Sequence, residues 1–247
     1  MRIKKGLRLV RVLLVLVFQM LKNYRALNHD LEHNFIICKK ICQKVLRTAG
    51  IRVRAEGNEN LPDTPFLLVS NHRCFFDVVI LLAMVDKPVR FVAAKELDHY
   101  PVLRRYLASI KCISIERYTK DFTKIKESIV EISRALEDSN LVLFPEGECS
   151  YENEQMGTFK KGSFMGVVRK NIQVVPCFIQ IQEFENIGRW MIPRGKVKAV
   201  IGQGFNPKEV VEDANRKIQS EQLADYARAQ VYELQQSIAV AYDNSQE

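Results

Sequence analysis

The chain has 247 residues, 47% of them hydrophobic, enough for one sizeable core and too few for two full domains. Its net charge of +8 is unevenly placed: residues 1–54 hold thirteen Lys or Arg against Asp30 and Glu32, leaving 24 basic against 27 acidic residues elsewhere. That distribution excludes a generally basic nucleic-acid-binding body, and six scattered cysteines without a C-x-x-C pair exclude the usual zinc and redox spacings and read as small buried hydrophobes.

From Leu7 the chain reads "LRLVRVLLVLVFQML", whose uninterrupted apolar run, Val12 to Phe18, falls well short of the ~20 residues a bilayer span needs. No small-x-small cleavage pattern follows, so the segment reads as an uncleaved helix in the membrane interface. In "NFIICKKICQKVLRTAG", Phe35, Cys38, Cys42, Val45 and Leu46 recur at helical spacing, with Lys39, Lys40, Gln43, Lys44 and Arg47 opposite. Its apolar face is expected among acyl chains and its lysines among anionic head groups, although the same pattern would suit helices that cap a core. Residues 1–50 are thus expected to form a two-helix membrane-associating element and residues 51–247 one further domain. The basic residues interleave with Leu, Val and Ile rather than with stacking aromatics, which argues against nucleic acid as a partner.

After Gly50, short apolar runs alternate with longer amphipathic segments. Strands are predicted over 66–70, 89–94, 112–117, 141–146, 174–182 and 196–202, and helices over 76–85, 101–109, 121–138, 158–170 and 219–242. The alternation predicts an α/β fold, a largely parallel mixed sheet flanked by helices, with its chemistry at the carboxyl ends of the strands.

The distinctive residues fall at those ends. His72 follows the run "FLLVS" and Asp77 opens the next helix, where its carboxylate can reach back to the imidazole and fix the tautomer of a general base. Glu146 and Gly147 follow Pro145 at the end of "LVLF", Arg117 ends "CISIER", and Lys160 and Lys161 open a helix whose dipole favours anions; together the cations could hold a phosphate. Each residue alone would also suit a capping or solvated position. No G-x-S-x-G elbow occurs, so a base at His72 would activate a substrate hydroxyl directly.

As an ordered set, "NHRCFFD", "KELDHYPVLRRYLASIKCISIER", "FPEGECS" and "VVPCF" resembles the four blocks of the glycerolipid acyltransferases with the H-x4-D motif, over roughly residues 66–180. The resemblance implies transfer of a fatty acyl group from an acyl-carrier-protein or coenzyme A thioester to the free hydroxyl of a lysophospholipid. Lysophosphatidate, giving phosphatidate, is the first acceptor it implies. It further implies His72 as base, Asp77 as its orienting partner, an acceptor site formed by Lys95, Arg117, Glu146, Gly147, Lys160 and Lys161, and no metal or redox cofactor. A membrane lipid acceptor, an anionic membrane surface and the thioester donor are the implied partners, with the protein peripheral or monotopic on the cytoplasmic face.

Two positions depart from the pattern. The third block usually continues Gly-Thr-Arg-Ser, but here Cys149 replaces the arginine, and Arg104 or Arg105 stands where the second block usually has glycine. The change at Cys149 leaves open another lysolipid head group, a thioesterase-like hydrolase, or a lipid-binding relative without turnover.

Overall fold

The computed structural model describes residues 2–149, 155–187, 190–211 and 215–243. Two helices come first, α1 (Arg2–Asn23) and α2 (Leu31–Thr48), joined through a 3-10 turn at Tyr24–Ala26. Asp30 starts α2 by accepting a 2.9 Å hydrogen bond from the Glu32 amide, satisfying a donor that a helix start otherwise leaves free.

Seven strands then build one sheet: β1 (Arg52–Glu56), β2 (Phe66–Ser70), β3 (Val89–Ala94), β4 (Ile113–Ile115), β5 (Asn140–Leu143), β6 (Gln173–Ile187) and β7 (Trp190–Ile201). Their order is β1-β7-β6-β2-β5-β3-β4. Strands β6, β2, β5, β3 and β4 run parallel; β7 turns back against β6, and β1 pairs parallel with β7, so these two oppose the rest. The remaining helices are α3 (Phe76–Met84), α4 (Pro101–Ser109), α5 (Phe122–Ala135), α6 (Met165–Lys170), α7 (Pro207–Val210) and α8 (Arg216–Asp243). Every residue of central β2 is buried, as expected of a continuous apolar run covered on both faces. One core joins the sheet to α1, α2 and α3, and a second joins its other face to α5, α6 and α8.

The α/β architecture, the parallel sheet and most segments lie where the sequence predicts them. Strand β1 was not among the predicted strands: "RVRAE" is an edge strand whose charged residues hide any alternation. The segment 158–170 divides into a 3-10 turn (Lys161–Phe164) and α6.

The orientation of α2 corrects an expectation. Its apolar side is not turned outward: Phe35, Cys38, Ile41, Cys42, Val45 and Leu46 are buried in the core that also holds Val79, Ile80 and Ala83 of α3. Helix α3 is buried almost all round and needs a cover on the side away from the sheet, which α2 supplies. Lys39 closes the contact, its ammonium donating to the Val85 carbonyl and the Asp86 carboxylate, both at 2.7 Å.

Helix α1 is apolar on both sides. Val12 and Met20 are buried, whereas Leu7, Val10, Leu13, Leu14, Val17, Phe18 and Leu21 are exposed. Arg8 ties it down, its guanidinium donating to the Ala49 and Pro193 carbonyls and pairing at 2.5 Å with the buried carboxylate of Glu185. Among the described residues, no helix is long and apolar enough to cross a membrane.

Candidate active site

The carboxyl ends of β2, β5, β3 and β4 deliver His72, Glu146, Lys95 and Arg117 to one edge of the sheet. Ladder pairing between β2 and β6 ends at Ser70 and Cys177. The Asn71 side chain carries it further, donating to the Ile179 carbonyl at 3.0 Å and accepting from the Ile179 amide at 2.8 Å.

Just beyond lies His72, whose ring stacks on Phe144 with centroids 4.1 Å apart and planes at 16°. Its Nδ1 is 2.9 Å from Asp77 Oδ2. That oxygen also accepts from the amides of Arg73 (2.6 Å) and Cys74 (2.8 Å), so three donors converge on one oxygen of the buried side chain. A carboxylate accepts only, so when the ring is neutral its proton lies on Nδ1 and the lone pair on Nε2. The position of Asp77 in the first turn of α3 also suits the helix dipole.

Facing Nε2 at 3.2 Å is the sulfur of Cys149. Burial draws the His72 pKa down, but the interactions with Asp77 and Cys149 outweigh it and push the value up to about 9.

Glu146 sits lower than expected. It is buried, and its two oxygens accept from the His72 amide and the Gly157 amide, each at 2.8 Å. It therefore ties the turn after β2 to the segment leading to Lys160 rather than being presented openly at the edge. Gly147 has φ +75, a conformation that favours glycine, and a Cβ there would lie 2.5 Å from the Lys160 ammonium nitrogen, whose flexible end would have to move aside.

A cavity of about 590 Å³ opens at this edge. His72, Gly147, Cys149, Lys160 and Arg117 line it together with apolar side chains from the helices, among them Leu16 and Met20 of α1, Cys38 and Ile41 of α2 and Ile110. The Arg117 guanidinium is exposed, 5.6 Å above the Tyr118 ring. Lys95 and Lys161 stand apart from the lining: Lys95 pairs with Glu116 at 3.4 Å and Lys161 with Glu221 at 2.9 Å, all near the surface. Of the expected cations, the structure thus brings Lys160 and Arg117 to the cavity and engages Lys95 and Lys161 elsewhere.

What sequence reasoning missed is the contact between Cys149 and His72. Its signal was the substitution itself, a thiol where the third block usually carries a cation.

A family model described as acyltransferase matches residues 52–180. The chain is 29% identical to the 1-acyl-sn-glycerol-3-phosphate acyltransferase of Saccharomyces cerevisiae over 136 residues, 53% of this chain and 43% of that protein. It is 32% identical to the lyso-ornithine lipid O-acyltransferase of Brucella abortus over 120 residues, 49% of this chain and 43% of that protein. Each aligned stretch spans less than half of the relative's length. The crystal structure of the 1-acyl-sn-glycerophosphate acyltransferase of Thermotoga maritima shares the fold with a TM-score of 0.72 at 23% identity, covering 95% of this chain and 98% of that one.

Proposed function

Because the chain belongs to the acyltransferase family, we propose that it moves a fatty acyl group from an acyl thioester to the free hydroxyl of lysophosphatidate, giving phosphatidate. The observation that carries this reading is an imidazole base, held by a buried carboxylate, facing an apolar cavity whose lining also includes two cations. His72 Nε2 takes the proton of the acceptor hydroxyl, and Asp77 stabilises the imidazolium that forms. The oxygen attacks the thioester carbonyl and the thiol leaves with the proton. Lys160 and Arg117 hold the acceptor's phosphate, and the cavity, in the size range of lipid-sized ligands, takes an acyl chain. Acyl-carrier protein or coenzyme A carries the donor, and the reaction asks no metal or redox centre of the protein.

The exposed side of α1 is the natural seat for a bilayer surface, since seven large apolar side chains of this helix are exposed. We place the enzyme on the cytoplasmic face of a membrane with α1 lying in the interface. Helix α2 supports α1 from beneath, so the membrane element is narrower than residues 1–50.

The test is transfer from a radiolabelled palmitoyl thioester to lysophosphatidate in detergent. Wild-type protein should form phosphatidate, and His72→Ala should lower the rate about 10²- to 10⁴-fold. Equal rates from both would remove His72 from the chemistry. A second reading, a different lysolipid head group, is favoured by Cys149 standing where a cation is usual and by the likeness to the Brucella abortus protein. Product with another lysolipid and none with lysophosphatidate would select it.

A further inference from the structure

Direct transfer leaves one nucleophile at the site without a part and places it in the way. Cys149 Sγ lies 3.2 Å from His72 Nε2, where the acceptor hydroxyl would have to sit to give up its proton. Because Asp77 fixes the proton on Nδ1, the Cys149 S–H is the donor to Nε2 when the imidazole is neutral. Thiol, imidazole and buried carboxylate follow one another as in a nucleophile–base–orienter triad. The sulfur also lines the apolar cavity assigned above to an acyl chain; Cys38 and Cys112 line it too, but desolvation pushes their thiols up to about 12.

We propose that Cys149 is a covalent catalytic residue, the first acceptor of the acyl group, so that the reaction proceeds in two steps through a Cys149 thioester. The inference rests on the acyl-transfer reading above and adds an intermediate to it. In the first step the Cys149 thiol gives its proton to His72 Nε2 and its sulfur attacks the donor's carbonyl carbon. A new C–S bond forms, the donor's C–S bond breaks, and the departing sulfur takes the proton from the imidazolium and leaves as a thiol. One thioester replaces another, so the acyl group stays activated and no oxidant or reductant is needed.

In the second step acylation has removed the S–H that occupied Nε2. The base is thereby uncovered for the acceptor hydroxyl, which loses its proton to His72 as its oxygen attacks the Cys149 thioester. The Cys149 C–S bond breaks, the imidazolium returns the proton to the sulfur, and the lipid ester departs. His72 serves both steps, and the donor's carrier can leave before the acceptor binds.

The experiment mixes the protein with radiolabelled palmitoyl-CoA in detergent without acceptor, quenches in acid and measures intact mass and bound label. About one acyl group per chain should be retained, released by neutral hydroxylamine and absent from Cys149→Ala. Cys149→Ser, which can form only an oxygen ester, should hold its label through hydroxylamine. With lysophosphatidate added, Cys149→Ala should lose roughly 10²-fold or more of the rate while melting like wild type. Wild-type phosphatidate formation without any labile adduct, with Cys149→Ala at the wild-type rate, would overturn the intermediate and leave the acceptor reading standing. An adduct on Cys149 with no product from lysophosphatidate would support the intermediate and fault that acceptor instead.

Discussion

Helices α1 and α2 carry much the same pattern, apolar residues interleaved with lysine and arginine, yet they meet opposite surroundings. In α2 the apolar side is closed off: Phe35 is 2% exposed and packs in the core shared with α3. In α1 the inner side is covered, but Phe18 on the outer side is 63% exposed. Helical period reveals that a stripe needs cover and not what supplies it. The difference lies in layer order: α2 packs on α3 and α1 packs on α2, so the outer surface of α1 is where protein cover ends.

The comparison can be broken most severely on the inner side. Phe35→Ala should lower folding stability by about 3–5 kcal/mol through the cavity it leaves, as read from urea unfolding. Arg8→Ala, which strands the Glu185 carboxylate in a buried position, should cost about 3 kcal/mol in the same measurement and loosen α1 from the body. If either variant unfolds like wild type, the inner contacts are not what hold these helices.

On the outer side the expected pattern reverses. Leu14→Ala and Phe18→Ala should leave stability within about 0.5 kcal/mol. Each should weaken co-sedimentation with anionic vesicles by about 1.5–3 kcal/mol, a tenfold or greater loss of partitioning. Unchanged sedimentation would take the membrane role away from α1.

A dependence on pH separates both helices from the active site. His72 has a folded pKa raised to about 9 from the ordinary 6.5, so its contribution to stability is full below pH 6.5 and is lost as pH rises through about 9. Melting temperature should fall over that window, while vesicle binding through α1 does not follow it. The rate of acyl transfer should move the other way, rising as the imidazole becomes neutral toward pH 9. In Cys149→Ala one of the contributions that raises this pKa is gone, so the rising limb of the remaining activity should shift to lower pH.

The sheet was legible in the sequence because its central strands are continuous apolar runs: "FLLVS" could hardly be anything but an interior strand, and every residue of it is buried. His72 and Asp77 were legible because turn and helix start fix their separation. Less readable were contacts that only the third dimension makes. Glu146 reads as a residue offered to a ligand, but its charge is satisfied by amides of His72 and Gly157, 74 and 11 positions away. Lys161 and Lys95 read as partners of Lys160 and Arg117, but their reach includes Glu221 and Glu116, acids that no local pattern links to them. Cys149 reads as a cation lost from the third block, and its contact with His72 appears only when the ends of β5 and β2 are set side by side.

Asn71 gives the site one more property. Its side-chain amide copies both the donor and the acceptor of a peptide group and closes one further rung against Ile179 after the β2 ladder has ended. The residue that follows it is the base, so His72 is indexed to the sheet as a strand residue would be, with its position gauged against β6 rather than by a free loop. Fidelity of strand pairing is thereby converted into fidelity of proton transfer, and a slip between β2 and β6 too small to unfold the protein would register first as an enzyme that binds its substrates and fails to turn them over.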